Sequence, residues 1–143
     1  MYEVAEQDYI STILAFDYGE KRIGVAIKPK EQASAEPLLT LENNQDLYKS
    51  IQELVDLHSP SLLVVGWPRN LNANLTEQTK KAEQFASELQ QRYNIKVELQ
   101  DEALSTEQAQ SRIPARLKRK SRELIDQYAA CVILEDYLQE KQD

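Results

Sequence analysis

The sequence predicts an α/β domain: a mixed five-stranded sheet, antiparallel in its first strands and parallel in its later ones, with helices packed on both faces. Three observations predict it. Two apolar runs rich in strand formers stand near the start, separated by the reversal Tyr18-Gly19-Glu20. A continuous apolar run, Ser61 to Gly66, is bounded by Pro60 and Pro68, as expected of a strand buried on both faces of a parallel arrangement. Segments with apolar residues at helical spacing then alternate with strand-like ones, and strand-helix-strand units imply parallel pairing.

Thr12 to Asp17 (TILAFD) and Arg22 to Lys28 (RIGVAIK) read as a β-hairpin. Leu38 to Leu41 is a third strand, with Pro37 at its start where a missing N–H is tolerated. From Asn44 to His58, Leu47, Ile51, Leu54, Val55 and His58 recur at helical spacing, and Ser59-Pro60 ends the helix. After the central strand, Thr76 to Tyr93 carries a second helical stripe of Ala82, Phe85, Ala86 and Leu89, and Lys96 to Gln100 alternates like a strand. A short helix around Thr106 to Arg112 and a long one from Arg122 to Leu138 complete the chain. Residues 1–11 read as a mobile N-terminal extension and 12–140 as a single domain, without internal repeat or linker.

No stretch approaches the roughly 20 apolar residues that span a bilayer, and Met1 to Asp8 is acidic and polar, so the expected location is the cytoplasm. The single cysteine, Cys131, lies in an apolar segment and reads as a buried free thiol in a reducing compartment. A formal net charge of -7 argues against sequence-blind adhesion to polyphosphate. The distribution qualifies this: Arg112 to Arg122 (RIPARLKRKSR) holds six of the seventeen Lys and Arg and no acid. A solvated basic loop is the plain reading of that island, and a phosphate-gripping surface the functional one.

Three carboxylates occupy positions where a charge needs an explanation. Asp17 ends an apolar strand, where an unpaired carboxylate is costly unless hydrated or bound to metal; a turn-forming Asp before Gly is the alternative. Glu102 follows the strand KVELQ, at the strand end where open sheets build their sites, although an acid near a helix start would look the same. Asp126 has Ala129, Ala130 and Ile133 three, four and seven positions on, so it shares the apolar face that packs on the sheet. The small alanines would bring it close to the strand ends. Three acids with one histidine suit Mg²⁺ or Mn²⁺ and not zinc, and such ions serve phosphodiester displacement.

ILAFDYGEKRIGVAI (Ile13 to Ile27), VVGWPRNL (Val64 to Leu71), DEALST (Asp101 to Thr106) and IDQYAACVILEDYL (Ile125 to Leu138) together resemble the YqgF family, also called RuvX, over roughly Thr12 to Leu138. The resemblance implies an RNase H-like fold and a divalent-metal-dependent nuclease, described as a candidate for processing the 5′ end of pre-16S ribosomal RNA and as Holliday-junction-resolvase-like. It implies catalytic and metal-binding roles for Asp17, Glu102 and Asp126. Its variable basic loop coincides with the island, so Arg112, Arg116, Lys118, Arg119, Lys120 and Arg122 are expected to contact nucleic acid, together with Lys21 and Arg22 after the hairpin turn. Two departures stand out: Ala103 replaces a common Arg, and Asn72-Ala73-Asn74 replaces a common Asp-Gly. The first puts a phosphate contact in doubt, not the ligands.

Gly24 within a strand reads either as a bulge or as a point of close approach. Trp67 reads as packing ahead of base stacking, His58 as a helix-end residue, and Tyr18 as shaping the pocket or covering the core. The expected partner is nucleic acid, structured RNA ahead of branched DNA, within pre-ribosomal particles, with the protein a monomer or weak homodimer. A resolvase of branched DNA and a non-catalytic ribosome-maturation factor are the competing functions. The Asp17-x-Gly19 start also resembles actin-like ATPases and sugar kinases, but the chain lacks their second lobe.

Overall fold

A computed structural model describes residues 4–68, 77–102, 106–117 and 121–140. The departures at Ala103 and Asn72 to Asn74, and the island residues Lys118, Arg119 and Lys120, lie outside the described residues. Ten elements follow one another: α1 (Glu6–Tyr9), β1 (Ile13–Asp17), β2 (Arg22–Lys28), β3 (Glu36–Glu42), α2 (Leu47–His58), β4 (Leu62–Pro68), α3 (Glu77–Arg92), β5 (Lys96–Glu102), α4 (Thr106–Arg112) and α5 (Arg122–Glu140). β1 pairs antiparallel with β2 and parallel with β4; β2 pairs antiparallel with β3, and β4 parallel with β5. The sheet order is therefore β3-β2-β1-β4-β5, the mixed sheet the sequence predicts.

Strand alternation divides the core in two. Leu14, Phe16, Ile23, Val25, Ile27, Leu63 and Val65 face Leu47, Ile51 and Leu54 of α2 and Ala82, Phe85, Ala86 and Leu89 of α3. Ile13, Ala15, Ala26, Leu62 and Val64 face Ala130, Ile133, Leu134, Tyr137 and Leu138 of α5. Each fully buried Val, Leu, Ile or Phe among them contributes on the order of 1.5–3 kcal/mol, so both helical layers are held mainly by the sheet. α5 buries Ala129 to Leu134 without a break. A helix so apolar all round is covered on more than one side, and α4 packs on it through buried Ala109 and an Arg112–Glu135 pair at 3.1 Å.

The element ends differ from the sequence expectation for local reasons. β4 and β5 run two residues further because Trp67↔Asp101 and Pro68↔Glu102 continue their parallel ladder after the apolar pattern stops. Glu102 is thus the last residue of a strand and not two residues beyond it. β3 starts at Glu36, with Pro37 on the edge strand where the register to β2 shifts between Val25 and Ala26. α2 starts at Leu47 because the Asp46 N–H donates to Asn44 Oδ1 at 2.9 Å, a turn that competes with helix. It ends at Ser59, which takes the left-handed conformation (φ 46°) while its N–H donates to the Val55 carbonyl at 2.9 Å.

At the sheet end remote from Asp17, Lys28 is fully buried. Its ammonium donates to the backbone carbonyls of Pro29 (2.8 Å), Gln32 (3.0 Å) and Tyr9 (3.3 Å), matching three donors to three acceptors. This ties α1 to the turn after β2, and desolvation holds the amine below the usual lysine pKa. Among the described residues no helix is long and apolar enough to cross a membrane.

Candidate active site

The site lies where β1 ends, β2 begins and the first turns of α5 pass over both. The ladder puts Asp17 opposite Gly24. Gly24 explains how α5 comes so near: a Cβ built there would stand 1.9 Å from the Asp126 carbonyl oxygen and 2.9 Å from its Cβ. Only a residue without a side chain permits this approach, so close approach, with the bulge one residue further on, is the role of this glycine. Asp126 is thereby lowered onto the sheet beside Asp17.

The two carboxylates sense each other. Burial, and then the like charge of Asp126, push the Asp17 carboxyl up to about 7. Asp126 differs, being half-buried and accepting from Arg22 Nε at 2.7 Å through Oδ2. A partly exposed pair of this kind adds only about 0.2–1 kcal/mol, so its main effect is to orient the carboxylate. Around the pair runs a groove of about 400 Å³ lined by Asp17, Gly19, Glu20, Lys21, Arg22, Gln78, Arg122 and Asp126. Gln78 closes its α3 side, donating to the Tyr18 carbonyl at 2.9 Å.

Glu102 approaches from the other flank. Phe16 pairs with Val65, so Asp17 stands level with Gly66, which pairs with Gln100, two residues before Glu102. Strict alternation then places Asp17, Gln100 and Glu102 on the α5 face of the sheet, at the same end. The same face carries Glu98 and Gln100, which hydrogen-bond Tyr137 and Glu140 of α5. β5 is two strands from β1, about 10 Å at ordinary strand spacing. Among the described residues no three His, Cys, Asp or Glu side chains already form one cation's shell. The structure therefore joins Asp17 to Asp126 and sets Glu102 at the same end of the sheet, two strands away.

The donor set fits a hard divalent cation. A carboxyl whose proton is retained by burial, and then by the charge of a second carboxylate, is what such an ion would relieve. A thiol site does not compete: Cys131 is buried and pushed up to about 12, chiefly by burial.

Of the basic residues singled out in the sequence, Lys21, Arg22 and Arg122 line the groove. Arg112 is turned to Glu135, and Arg116 is exposed. Sequence reasoning missed Gln78 and the pairing of Arg22 with Asp126. That pair joins residues 104 positions apart, which no local pattern signals.

The chain and its fold have counterparts among known proteins. RuvX, described as Holliday junction resolvase, matches residues 11–140. The chain belongs to the RuvX family. A relative from Nitrosospira multiformis, named "Putative pre-16S rRNA nuclease", is 41% identical over 97% of this chain and 95% of its own. A Paraburkholderia phymatum relative of the same name is 39% identical over 90% of this chain and 85% of its own. RuvC from T. thermophilus, solved in complex with Holliday junction substrate, superposes with a TM-score of 0.56 at 11% identity, covering 92% of this chain and 96% of that one. The fowlpox virus resolvase, solved with Holliday junction DNA, gives 0.56 at 11%, over 89% and 98%. At these identities the likeness shows the fold, which is the RNase H-like one.

Proposed function

We propose that this RuvX chain is a divalent-metal-dependent nuclease that hydrolyses phosphodiester bonds in processing the 5′ end of pre-16S ribosomal RNA. The observation that carries the reading is the apposition of Asp17 and Asp126 in a groove rimmed by Lys21, Arg22 and Arg122. Acids for a cation and bases for the flanking phosphates meet in one groove. The names of the relatives favour ribosomal RNA as substrate.

Asp17 and Asp126 would hold Mg²⁺ or Mn²⁺, with Glu102 the third acid on the same sheet face. Such an ion, when bound, activates water and stabilises the leaving oxygen. Arg22 orients Asp126, and Lys21 and Arg122 are placed to bind the phosphates on either side of the scissile one. The groove is open, as a polymer substrate requires. The protein acts in the cytoplasm on structured RNA of pre-ribosomal particles, as a monomer or weak homodimer.

The test is cleavage by purified protein with Mg²⁺ or Mn²⁺ on matched structured RNA, linear duplex DNA and a four-way junction. Asp17→Asn, Glu102→Gln and Asp126→Asn are each expected to lose at least about 10²-fold in rate while retaining RNA binding. Wild-type rates in all three variants would refute the mechanism, and preferential cutting of the junction would transfer the substrate to branched DNA.

A second prediction concerns the island. Reversing three charges together, Arg116→Glu, Lys118→Glu and Arg119→Glu, is expected to raise the dissociation constant and flatten its logarithmic salt dependence by roughly 0.7–0.9 for each phosphate the variant ceases to neutralise. An unchanged slope would remove the island from the binding surface.

A further inference from the structure

The groove over Asp17 and Asp126 does not end at the β1–β2 turn. Glu20, Lys21 and Arg22 also border a second depression, which reaches Thr40, Asn43 and Asn44. Asn43 and Asn44 in turn border a third, on the opposite face of the sheet. This third cleft, of about 270 Å³, is lined by Tyr18, Leu47, Tyr48 and Phe85 and by the polar side chains of Asn43, Asn44, Lys81, Gln84 and Glu88. Shared lining residues set the three depressions side by side, from the acid pair, over the turn, to an aromatic cleft.

The cleft is built rigidly. Phe85, almost wholly buried, braces Tyr18 at 5.0 Å and Tyr48 at 6.4 Å between ring centroids. The Arg92 guanidinium lies 4.1 Å over the Tyr48 ring and is itself held by Glu88 at 2.7 Å. With Arg92 already over one face of Tyr48, rings fixed in this way lose little freedom when a flat ligand packs against them. Asn43 donates to the Gly19 carbonyl at 2.8 Å, fastening one wall to the turn. Gln84 is exposed at the rim, with an amide able both to donate and to accept.

Aromatic faces beside amide groups are the chemistry that recognises a nucleobase: the rings stack, and the amides meet its polar edge. Tyr18 follows Asp17 directly, so alternation sends its side chain to the face opposite the acid while the backbone stays within one residue of it. We infer that this cleft holds one unstacked base of the substrate strand, whose phosphodiester backbone crosses the turn from the acid pair. The inference rests on the nuclease reading and adds to it a requirement for an unpaired nucleotide beside the cleavage site. A continuous duplex cannot supply one without opening.

The test is binding of fluorescently labelled single-stranded RNA oligonucleotides, each with one abasic nucleotide at a different position, to the wild-type protein in EDTA, where cleavage is blocked. One position is expected to weaken binding by about tenfold. The same abasic position is expected to cost little in Tyr48→Ala and Gln84→Ala. Tyr48→Leu, which keeps apolar volume, serves if Tyr48→Ala fails to fold, and Gln84 is exposed, so its variant tests the cleft without disturbing the core. If the intact oligonucleotide binds but every abasic position is neutral, the cleft is not a base site and the nuclease reading stands. If one position matters equally in wild type and variants, the base goes elsewhere and the inference fails. If no RNA is bound and none is cut with Mg²⁺ or Mn²⁺, the nuclease reading fails and takes the inference with it.

Discussion

Asp17→Asn is expected to abolish cleavage and, in the metal-free protein at pH 8, to raise stability by about 2 kcal/mol, several degrees in melting temperature. The Asp17 carboxyl is raised from 3.8 to about 7 by burial and by Asp126. An acid whose pKa rises on folding binds its proton more tightly folded than unfolded. Between those two values the native state holds the extra proton, so stability falls as pH rises from about 4 to about 7 and stays at its lower level above. A rise from 3.8 to about 7 corresponds to about 4 kcal/mol at most, and water reaching the part-buried carboxylate from the groove reduces it to roughly half. The asparagine never ionises, so the difference between variant and wild type should be absent near pH 4, grow through pH 7 and level off. Saturating Mg²⁺ or Mn²⁺ should reverse the order, because about 100-fold excess over the dissociation constant adds about 2.7 kcal/mol to the protein that binds the ion. Thermal melts of both proteins across pH, with and without cation, measure all of this. Identical metal-free melts at pH 8 would refute the raised carboxyl of Asp17, and equal stabilisation of both proteins by cation would remove Asp17 from the ligand set.

Asp17 and Asp126 were legible in the sequence because each breaks a pattern that is itself strong. Asp17 is the polar residue after four buried ones in β1, and Asp126 lies on a face otherwise made of Ala129, Ala130 and Ile133. Glu102 was legible as an acid near a strand end, but its place depends on the β4–β5 register, and the ladder runs on through Pro68↔Glu102 where the apolar alternation has stopped. Hydrophobic periodicity reports burial, and ladder hydrogen bonds form whether or not the side chains are apolar. Hydrogen bonds between distant segments were not legible. Arg22 with Asp126, Lys28 with the Tyr9 carbonyl and Thr40 with the Glu123 carbonyl each join stretches whose adjacency is a product of the topology. The aromatic cleft belongs to the same class: Tyr18, Tyr48 and Phe85 come from β1's end, α2 and α3, and each alone looks like core.

Gly24→Ala is expected to cost about 3 kcal/mol in stability and at least about 10²-fold in cleavage rate. The added carbon would meet the Asp126 carbonyl oxygen at 1.9 Å and carbonyl carbon at 2.3 Å, and both atoms are backbone. No rotamer relieves such a clash, so either β2 buckles or the start of α5 lifts. Both movements separate Asp126 from Asp17, and a displacement near 1 Å is enough to disorganise a reacting geometry. Gly66 supplies the control on the same sheet face. A Cβ there would meet Ile133 Cδ1 at 2.3 Å, the far end of a flexible side chain that can turn away. Gly66→Ala should therefore be milder, and adding Ile133→Val, which deletes the obstructing carbon, should restore most of the stability. The same second change should do nothing for Gly24→Ala, whose obstruction is main chain. Melting temperatures and single-turnover rates for the four proteins decide it: equal costs at Gly24 and Gly66, or rescue of both by Ile133→Val, would mean that the approach of α5 to β2 does not set the distance between the two acids.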